Sequence, residues 1–496
     1  MPYEKTGINL IPDTVNPTPD YYCTWQTQLY ATCDGKPQGQ RAIIGEKALF
    51  DTEKPYGWAY FYEQVRKDLF LVMDDSWDVP GGEDLSYCGS LVLDKGKFPS
   101  FTEGASSNVE AMRKLSDKIK SLGWKGLGGW ICAQESPHFI GDDPQETYWK
   151  KRLIEAKEAG IAYWKVDWGE WFLLADFRLM LTELGRKYAP ELVIEHAKVA
   201  EVLPCCDIFR TYDVPAIMSI PMTISKVADF ASAEAPRSGN MCLLNCEDEA
   251  YIAAAGGFAM GIMRHPYNGD FANGNADMSF PKIHRNLKTK MCEVTRGVRW
   301  HKIAPAYAFD SQNLSISKTQ LCDTWTFEKI EEEIEDFWLE AHVFDDNMQD
   351  NTLSMQAPSC ISRNTELPTV HPDENGHVPF IVASHNPNGA FSVAALGRTI
   401  GRDYSIPKCD VTVDVKDSKT LGVFGEYKNL IVKVSSTDVK RVLMQDLAGN
   451  EAFDITDTVT IKACEIIIPG DIISKIGTLT QPEEDTSEPG VMIQFS

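Results

Sequence analysis

The sequence predicts an α/β fold: a (β/α)8 TIM barrel followed by a C-terminal antiparallel β-sandwich. Over residues 21–265, short apolar runs alternate with segments of helical period, the order of a barrel built from strand–helix units. The runs themselves do not alternate polar and apolar residues, as expected for parallel strands that are covered on both faces. From about Val378 onward, short alternating runs follow at close intervals, which is typical of antiparallel sheets.

Eight apolar runs match the eight strands of such a barrel. They occupy residues 22–30, 69–75, 124–132, 161–168, 192–196, 207–213, 241–246 and 257–263. Amphipathic segments at 108–123, 147–160 and 171–188 lie between them, and the first two end in Gly, a common helix stop. A doubly wound sheet is the alternative, but the chain lacks the Gly-x-Gly-x-x-Gly turn that would bind a nucleotide there.

The pattern of apolar, polar and turn residues changes along the chain, and these changes predict the domain boundaries. We expect a lead-in over 1–20 and the barrel, with extra helices, over 21–345. A polar connection rich in Pro and Asn, over 346–377, is predicted to be a linker. The β domain is expected over 378–478, and the acidic residues that follow predict a tail over 479–496.

Composition narrows the class of partner. The 496-residue chain carries a net charge of −24 with a pI near 4.8, so a nucleic acid or an anionic membrane would be repelled. The 13 cysteines include several inside apolar runs and form no Cys-x-x-Cys pair, which indicates a reducing compartment and no zinc site. We therefore expect no metal and no cofactor.

Two further features indicate a cytoplasmic location. The N-terminus lacks the basic start and apolar core of a secretory signal. No apolar stretch reaches the 18 residues that a membrane span needs. Homo-oligomerisation stays open on the sequence alone.

Polar and aromatic residues lie in or just after the apolar runs, where the active site of a barrel forms. This set comprises Trp25, Gln26, Asp74, Asp75, Trp77, Trp130, Lys165, Asp167, Glu195, His196, Arg210, Asp213 and Asn245. Several carboxylates with indole walls, and no phosphate loop, favour a sugar site, because indole rings pack on pyranose C–H faces and paired acids perform glycosyl transfer. The acids Glu247, Asp248 and Glu249 instead fit the first turn of a helix.

Lys165 and Asp167 lie two positions apart in "IAYWKVDWGEW", so a strand would present them on the same face. An ammonium group beside a carboxylate lowers its pKa and keeps it ionised, as a nucleophilic carboxylate requires. A simple ion pair that closes a barrel strand explains the same spacing.

Several motifs, in order along the chain, resemble those of clan D α-galactosidases (glycoside hydrolase families 27 and 36). "YWKVDWG" resembles the Lys-x-Asp strand that carries the family's nucleophile, and "LFLVMDDSWD" its Asp-Asp-x-Trp strand. "KFPS" and "MRKLSDKIKSLGWKGLGGWI" are similar to the stretch between those strands, and "TWQTQ" stands in place of the N-terminal Trp motif. "DIFRTYD" followed by "ISKVADF" is similar to the strand with the Arg and the acid/base Asp.

The resemblance implies a retaining exo-glycosidase acting on an α-linked, galacto-configured sugar of an oligosaccharide or glycoconjugate. Asp167 would be the nucleophile and Asp213 the acid/base. The residues implied to bind the sugar are Trp25, Asp74, Asp75, Trp77, Trp130, Lys165 and Arg210, with Glu195 and His196 as candidates for specificity.

The chain departs from the family pattern at several places. Arg210 and Asp213 are three residues apart rather than the usual four, with Asp207 at the start of the same run, and "LVIEHAKV" replaces the family's Cys-Glu-Trp strand. Galactose, N-acetylgalactosamine and arabinopyranose are therefore not distinguished. A transglycosylase on the same scaffold and a sugar-binding protein without catalysis are the alternative functions.

Overall fold

The predicted barrel is confirmed as one sheet of eight parallel strands. The computed structural model describes residues 3–25, 27–28, 39–53, 57–211, 218–236, 242–263, 290–326, 348–349, 352–401, 403–435, 438–483 and 485–496. A short strand β1 (Glu4–Lys5) precedes the barrel, whose strands are β2 (Tyr21–Cys23), β3 (Phe70–Met73), β4 (Gly126–Ile131), β5 (Tyr163–Val166), β6 (Val193–His196), β7 (Ile208–Arg210), β8 (Leu243–Asn245) and β9 (Gly261–Ile262).

The strands pair in the order in which the chain makes them, from β2 to β8, and β9 pairs with β2 on its other side. A parallel bridge between Asn245 and Ala259 joins the two end strands and closes the cylinder. Seven of the eight predicted apolar runs contain one of these strands, and the run 22–30 overlaps β2, because strands buried on both faces need continuous apolar sequence.

Helices cover the outer face of the barrel. They are α1 (Gln40–Ile43), α2 (Glu46–Phe50), α3 (Pro99–Thr102), α4 (Asn108–Ser121), α5 (Gln145–Ala159), α6 (Ala175–Tyr188), α7 (Ser219–Asp229), α8 (Ala250–Gly256) and α9 (Met291–His301). The local sequence explains their ends: the Ser107 hydroxyl accepts from the Glu110 N–H and caps α4, and Gly160 ends α5 at a φ of 72°. In the described residues, no helix has both the length and the apolarity needed to cross a membrane.

In the residues that the structure describes, the C-terminal domain consists of three sheets and one helix. Its strands are β10 (Leu314–Ile316), β11 (Gln320–Thr326), β12 (Met348–Gln349), β13 (Thr352–Pro358), β14 (Cys360–Arg363), β15 (Thr369–His371), β16 (Phe380–His385), β17 (Phe391–Leu396), β18 (Arg398–Gly401), β19 (Asp403–Ser405), β20 (Asp410–Asp414), β21 (Thr420–Gly425), β22 (Asn429–Lys433), β23 (Val442–Asp446), β24 (Ala452–Asp454), β25 (Thr460–Lys462), β26 (Glu465–Pro469) and β27 (Gly490–Phe495), with one helix, α10 (Gly470–Gly477). The largest sheet, β1-β24-β23-β27-β21-β17-β16-β14-β10, packs over the sheet β15-β20-β22-β26-β25 around one apolar core, as in a sandwich.

The predicted domain boundaries are wrong at four places. The predicted linker, 346–377, contains strands β12 to β15, and β10 and β11 lie in the part assigned to the barrel and its extra helices. The predicted tail contains β27, which is a central strand of the largest sheet, and the lead-in supplies β1 to the same sheet. The sandwich is also not purely antiparallel, since β14 and β16, β17 and β21, and β20 and β22 pair in parallel. In the third sheet, β11 and β18 pair in parallel.

Two buried arginines fasten the sandwich to the barrel. Arg363 on β14 donates to the carbonyls of Gly256 and Gly257 at the end of α8, at 2.8 and 2.9 Å. Arg296 on α9 pairs with Asp446 at the end of β23, at 2.9 Å. These contacts hold the sandwich against α8 and α9.

Candidate active site

Alternate residues of each barrel strand face the interior. On β5, Tyr163 belongs to the inner cluster of the barrel, whereas Trp164 and Val166 pack in the outer layer under the helices. Lys165 therefore faces inward, and Asp167, the first residue after the strand, continues that face at its carboxyl end. This is the pair that the spacing in the sequence predicts to lie together.

Asp167 is held on both of its carboxylate oxygens. Arg210 at the end of β7 donates from Nη2 to Oδ1 at 2.9 Å, and the indole Nε1 of Trp130 on β4 donates to Oδ2 at 2.9 Å. Burial alone would raise the pKa of Asp167, but the charges of Arg210 and Lys165 and the Trp130 hydrogen bond outweigh it and lower the pKa to about 2. The carboxylate is thus ionised at neutral pH and fixed in orientation.

Lys165 forms its ion pair with a different acid. Its Nζ lies 2.7 Å from Oδ2 of Asp74, the first residue after β3, and 3.7 Å from the sulfur of Cys23 at the end of β2. The Cys23 thiol also donates to Asp74, at 2.8 Å. Burial alone would lower the pKa of Lys165, but Asp74 reverses the effect and raises it, so the ammonium keeps its charge.

Arg210 lies among three carboxylates. Besides Asp167, it donates from Nη1 to Oε1 of Glu247 at 3.1 Å, and its Nε lies 3.6 Å from Oε1 of Glu195. Glu247 comes two residues after β8, at the same end of the barrel as Asp167. All of these side chains are almost fully buried, so their charges interact with little screening by solvent.

A layer of aromatic and amide groups forms the floor of the site. Glu195 accepts hydrogen bonds from the hydroxyls of Tyr21 and Tyr163, at 3.1 and 2.7 Å, and from the amide of Asn245 at 2.7 Å. A side chain at Gly261 would collide with the Tyr21 ring, so the glycine makes room for this layer. Below the other three carboxylates the barrel is therefore packed.

The described group has more acids than bases. Two cations, Lys165 and Arg210, face the four carboxylates of Asp74, Asp167, Glu195 and Glu247. Burial raises the pKa of Glu195 against the opposing charge of Arg210. Such a site favours a ligand that is neutral or develops positive charge.

Two predicted sugar-binding residues lie apart from this group. Asp75 points away from its neighbour Asp74 and pairs with Nε of Arg41 at 2.9 Å, and burial raises its pKa. Trp77 is buried in the outer layer between the strands and helices, where its Nε1 donates to the Trp130 carbonyl at 2.9 Å. The prediction that Trp77 touches the sugar is therefore corrected: it supports β4 from behind.

His196, predicted as a candidate for sugar specificity, also lies apart from this group. It follows the inward Glu195 on β6 and so points outward, where its Nδ1 accepts from Arg178 at 3.2 Å and its Nε2 lies 2.8 Å from the Thr182 hydroxyl. Burial, with Arg178 adding to it, lowers the pKa of His196 well below its usual value, which leaves the ring neutral. Its role as a specificity residue is not supported by this geometry.

The remaining predicted residues have different outcomes. Trp25 is half-buried and packs against the apolar cluster inside the barrel. Asp213, the expected acid/base, and Gln26 lie outside the described residues, whereas Asp207 sits at the start of β7, where its carboxylate accepts from the Ile194 N–H at 3.0 Å. Asp207 thus lies at the amino-terminal end of the barrel strands, whereas Asp167 lies at their carboxyl end.

The sequence reasoning missed Glu247, Cys23 and Tyr21 as parts of the site. Glu247 fits a helix start, yet it stands before α8 and pairs with Arg210. The signal that could have revealed it is its position two residues beyond Asn245, on the inward face of β8. In the described residues, no group of three or more His, Cys, Asp or Glu side chains is arranged to hold a metal ion.

Solved structures of similar fold are found at low identity. A GH27 β-L-arabinopyranosidase from Geobacillus stearothermophilus is 10% identical, with a TM-score of 0.40 over 97% of this chain and 96% of that one. A protein from Bacillus halodurans assigned as an α-N-acetylgalactosaminidase is 9% identical, with a TM-score of 0.36 over 99% of both chains. An α-amylase from Anoxybacillus is 10% identical, with a TM-score of 0.40 over 98% of this chain and 99% of that one.

No family model matches the sequence, and no curated protein matches it.

Proposed function

We propose that this protein is a retaining exo-glycosidase that removes an α-linked galactose, or a related galacto-configured sugar, from an oligosaccharide or glycoconjugate. The observation that carries the proposal is the buried, ionised carboxylate of Asp167 at the mouth of the barrel, held by Arg210 and Trp130. The resemblance of "YWKVDWG" and "LFLVMDDSWD" to the clan D strands supports the same assignment.

The reaction would proceed by double displacement. Asp167 attacks the anomeric carbon while the bond to the leaving oxygen breaks, and Asp213 donates a proton to that oxygen. Asp213 then accepts a proton from water as the water oxygen attacks the same carbon and releases Asp167. The lowered pKa of Asp167, about 2, suits the second step, because the carboxylate that leaves is a stable anion.

The other charged groups would bind the sugar and stabilise the transition state. Lys165 and Asp74 offer donors and acceptors to ring hydroxyls, and the half-buried Trp25 and the indole of Trp130 offer apolar walls. The excess of carboxylates favours the positive charge that develops on the anomeric carbon, which is a gain made only in the transition state.

Product stereochemistry tests the proposal. Proton NMR during hydrolysis of an aryl α-galactoside should show the α anomer of galactose first, with the β anomer appearing later by mutarotation. First release of the β anomer would exclude double displacement, and no hydrolysis of α-galactosides, α-N-acetylgalactosaminides or β-L-arabinopyranosides would exclude the proposed substrate class.

The Asp213→Ala variant should lose far more activity on substrates with poor leaving groups than on aryl glycosides, and azide should partly restore the activity on aryl glycosides.

A further inference from the structure

An aromatic rim extends outward from Asp167. We use this name for Trp168, Tyr87 and His138. Trp168 directly follows Asp167, and its ring packs on that of Trp130 with centroids 5.3 Å apart. Trp130 also donates to Asp167, so it contacts both the rim and the carboxylate.

The other two rings of the rim form a stacked pair. The rings of Tyr87 and His138 lie 3.9 Å apart and only 15° from parallel, and Nε2 of His138 lies 2.9 Å from the Ser86 hydroxyl. Tyr87 and Trp168 both pack against the small buried cluster that contains Trp130. The rim is therefore fixed from behind by the same residues that support Asp167.

The three rings of the rim are not fully buried. Trp168 and Tyr87 are half-buried and His138 is exposed, in contrast to Trp77 and Trp149, which are fully buried in the barrel wall. The guanidinium of Arg41 lies 5.7 Å from the Trp168 ring and is also paired with Asp75. The rim thus combines aromatic rings with a guanidinium group that lies over one of them.

This combination matches a pyranose ring, which has an apolar C–H face and a rim of hydroxyls. The packed floor of Tyr21, Tyr163 and Glu195 closes the barrel below the carboxylates. A sugar that reaches Asp167 must therefore direct the rest of its molecule toward the mouth, the end of the barrel at which Trp168 follows Asp167.

We propose that Trp168, Tyr87 and His138 form a second sugar subsite, which binds the first ring of the leaving group. The inference rests on the proposed function and narrows it: the substrates are oligosaccharides of two or more sugars rather than glycosides of small alcohols.

Two substrates separate the subsite from the reaction centre. An α-galactosyl fluoride fills only the site at Asp167, whereas a disaccharide with galactose α-linked to glucose also reaches the rim. Trp168→Ala should lower kcat/KM for the disaccharide at least about tenfold more than for the fluoride. Trp168→Phe, which keeps a ring face, should retain most of the preference. Trp171→Ala is the matched control, because this half-buried indole on the same loop donates instead to Glu135, at 2.7 Å.

Equal losses on both substrates, or no loss on either, would overturn the proposal, since Trp168 would then only support Trp130 or do nothing. Calorimetry gives a readout that does not depend on hydrolysis. The wild-type protein should bind the disaccharide more tightly than galactose, and Trp168→Ala should remove that difference. Failure of hydrolysis with this binding pattern intact would contradict the proposed function but not the subsite, and the absence of the binding difference would overturn the subsite itself.

Discussion

The ammonium of Lys165 lies 2.7 Å from Oδ2 of Asp74, although Asp167 is the acid two residues away on the same strand face. The two cations of the site are thus divided between acids of different strands: Lys165 neutralises Asp74, and Arg210 holds Asp167. Asp167 is left with a partner from β7 that orients it and no lysine bound directly to it.

Removing Lys165 should destabilise the fold as well as the site. Lys165→Met leaves the Asp74 carboxylate buried without its cation, which should cost about 3–5 kcal/mol in the free energy of unfolding. Adding Asp74→Asn should recover part of that loss, because the second change removes the unpaired charge. Urea denaturation of both single variants and the double variant measures the coupling. Strictly additive losses would show that the pair does not interact as the distance indicates.

Glu247 should matter for activity through Arg210. In Glu247→Gln the Arg210 guanidinium loses one of its negative partners. Its position, and therefore its attraction to Asp167, should change. We expect kcat/KM to fall at least about tenfold, or about 1.4 kcal/mol in transition-state stabilisation. The free energy of unfolding should fall less than in Lys165→Met, because Arg210 keeps Asp167 as a partner. Glu249→Gln is the control, because Glu249 contacts Ser219. An unchanged kcat/KM in Glu247→Gln would show that Arg210 does not need this partner.

The lowered pKa of Asp167 predicts how stability depends on pH. A carboxyl group whose pKa falls from 3.8 to about 2 on folding stabilises the protein above the unfolded value, and this contribution is lost as the pH falls through the folded value. It amounts to about 2 kcal/mol. The difference in unfolding free energy between wild type and Asp167→Asn should therefore shrink between about pH 5 and pH 2. A difference that stays constant over this range would contradict the assigned pKa.

Much of the fold follows from local sequence, because strands buried on both faces require apolar runs wherever they occur. It is harder to predict which face of its strand each polar residue occupies. Glu195 and His196 are adjacent, so alternation sends one into the site and the other to Arg178, and the run "LVIEH" does not reveal which. The pairing of Lys165 with Asp74 joins residues 91 positions apart, and only the closed barrel brings them together.

Local composition led to wrong predictions at two other places. The acids around Glu247 suit a helix start, and tertiary pairing with Arg210 overrides that local preference. The acidic, Pro-containing residues before Gly490 suggest a tail, yet the apolar run that follows them forms β27 between β21 and β23. Neither long-range contact leaves a mark in the local pattern.

Trapping the glycosyl–enzyme ester tests the central claim most directly. A 2-deoxy-2-fluoro galactosyl fluoride of the configuration that the enzyme accepts should form a long-lived ester, since the fluorine slows its hydrolysis. Mass spectrometry of the digested protein should then find the added sugar on the peptide that contains Asp167, and Asp167→Asn should carry none. A label on another carboxylate, or hydrolysis of the natural substrate by Asp167→Asn at the wild-type rate, would contradict the account.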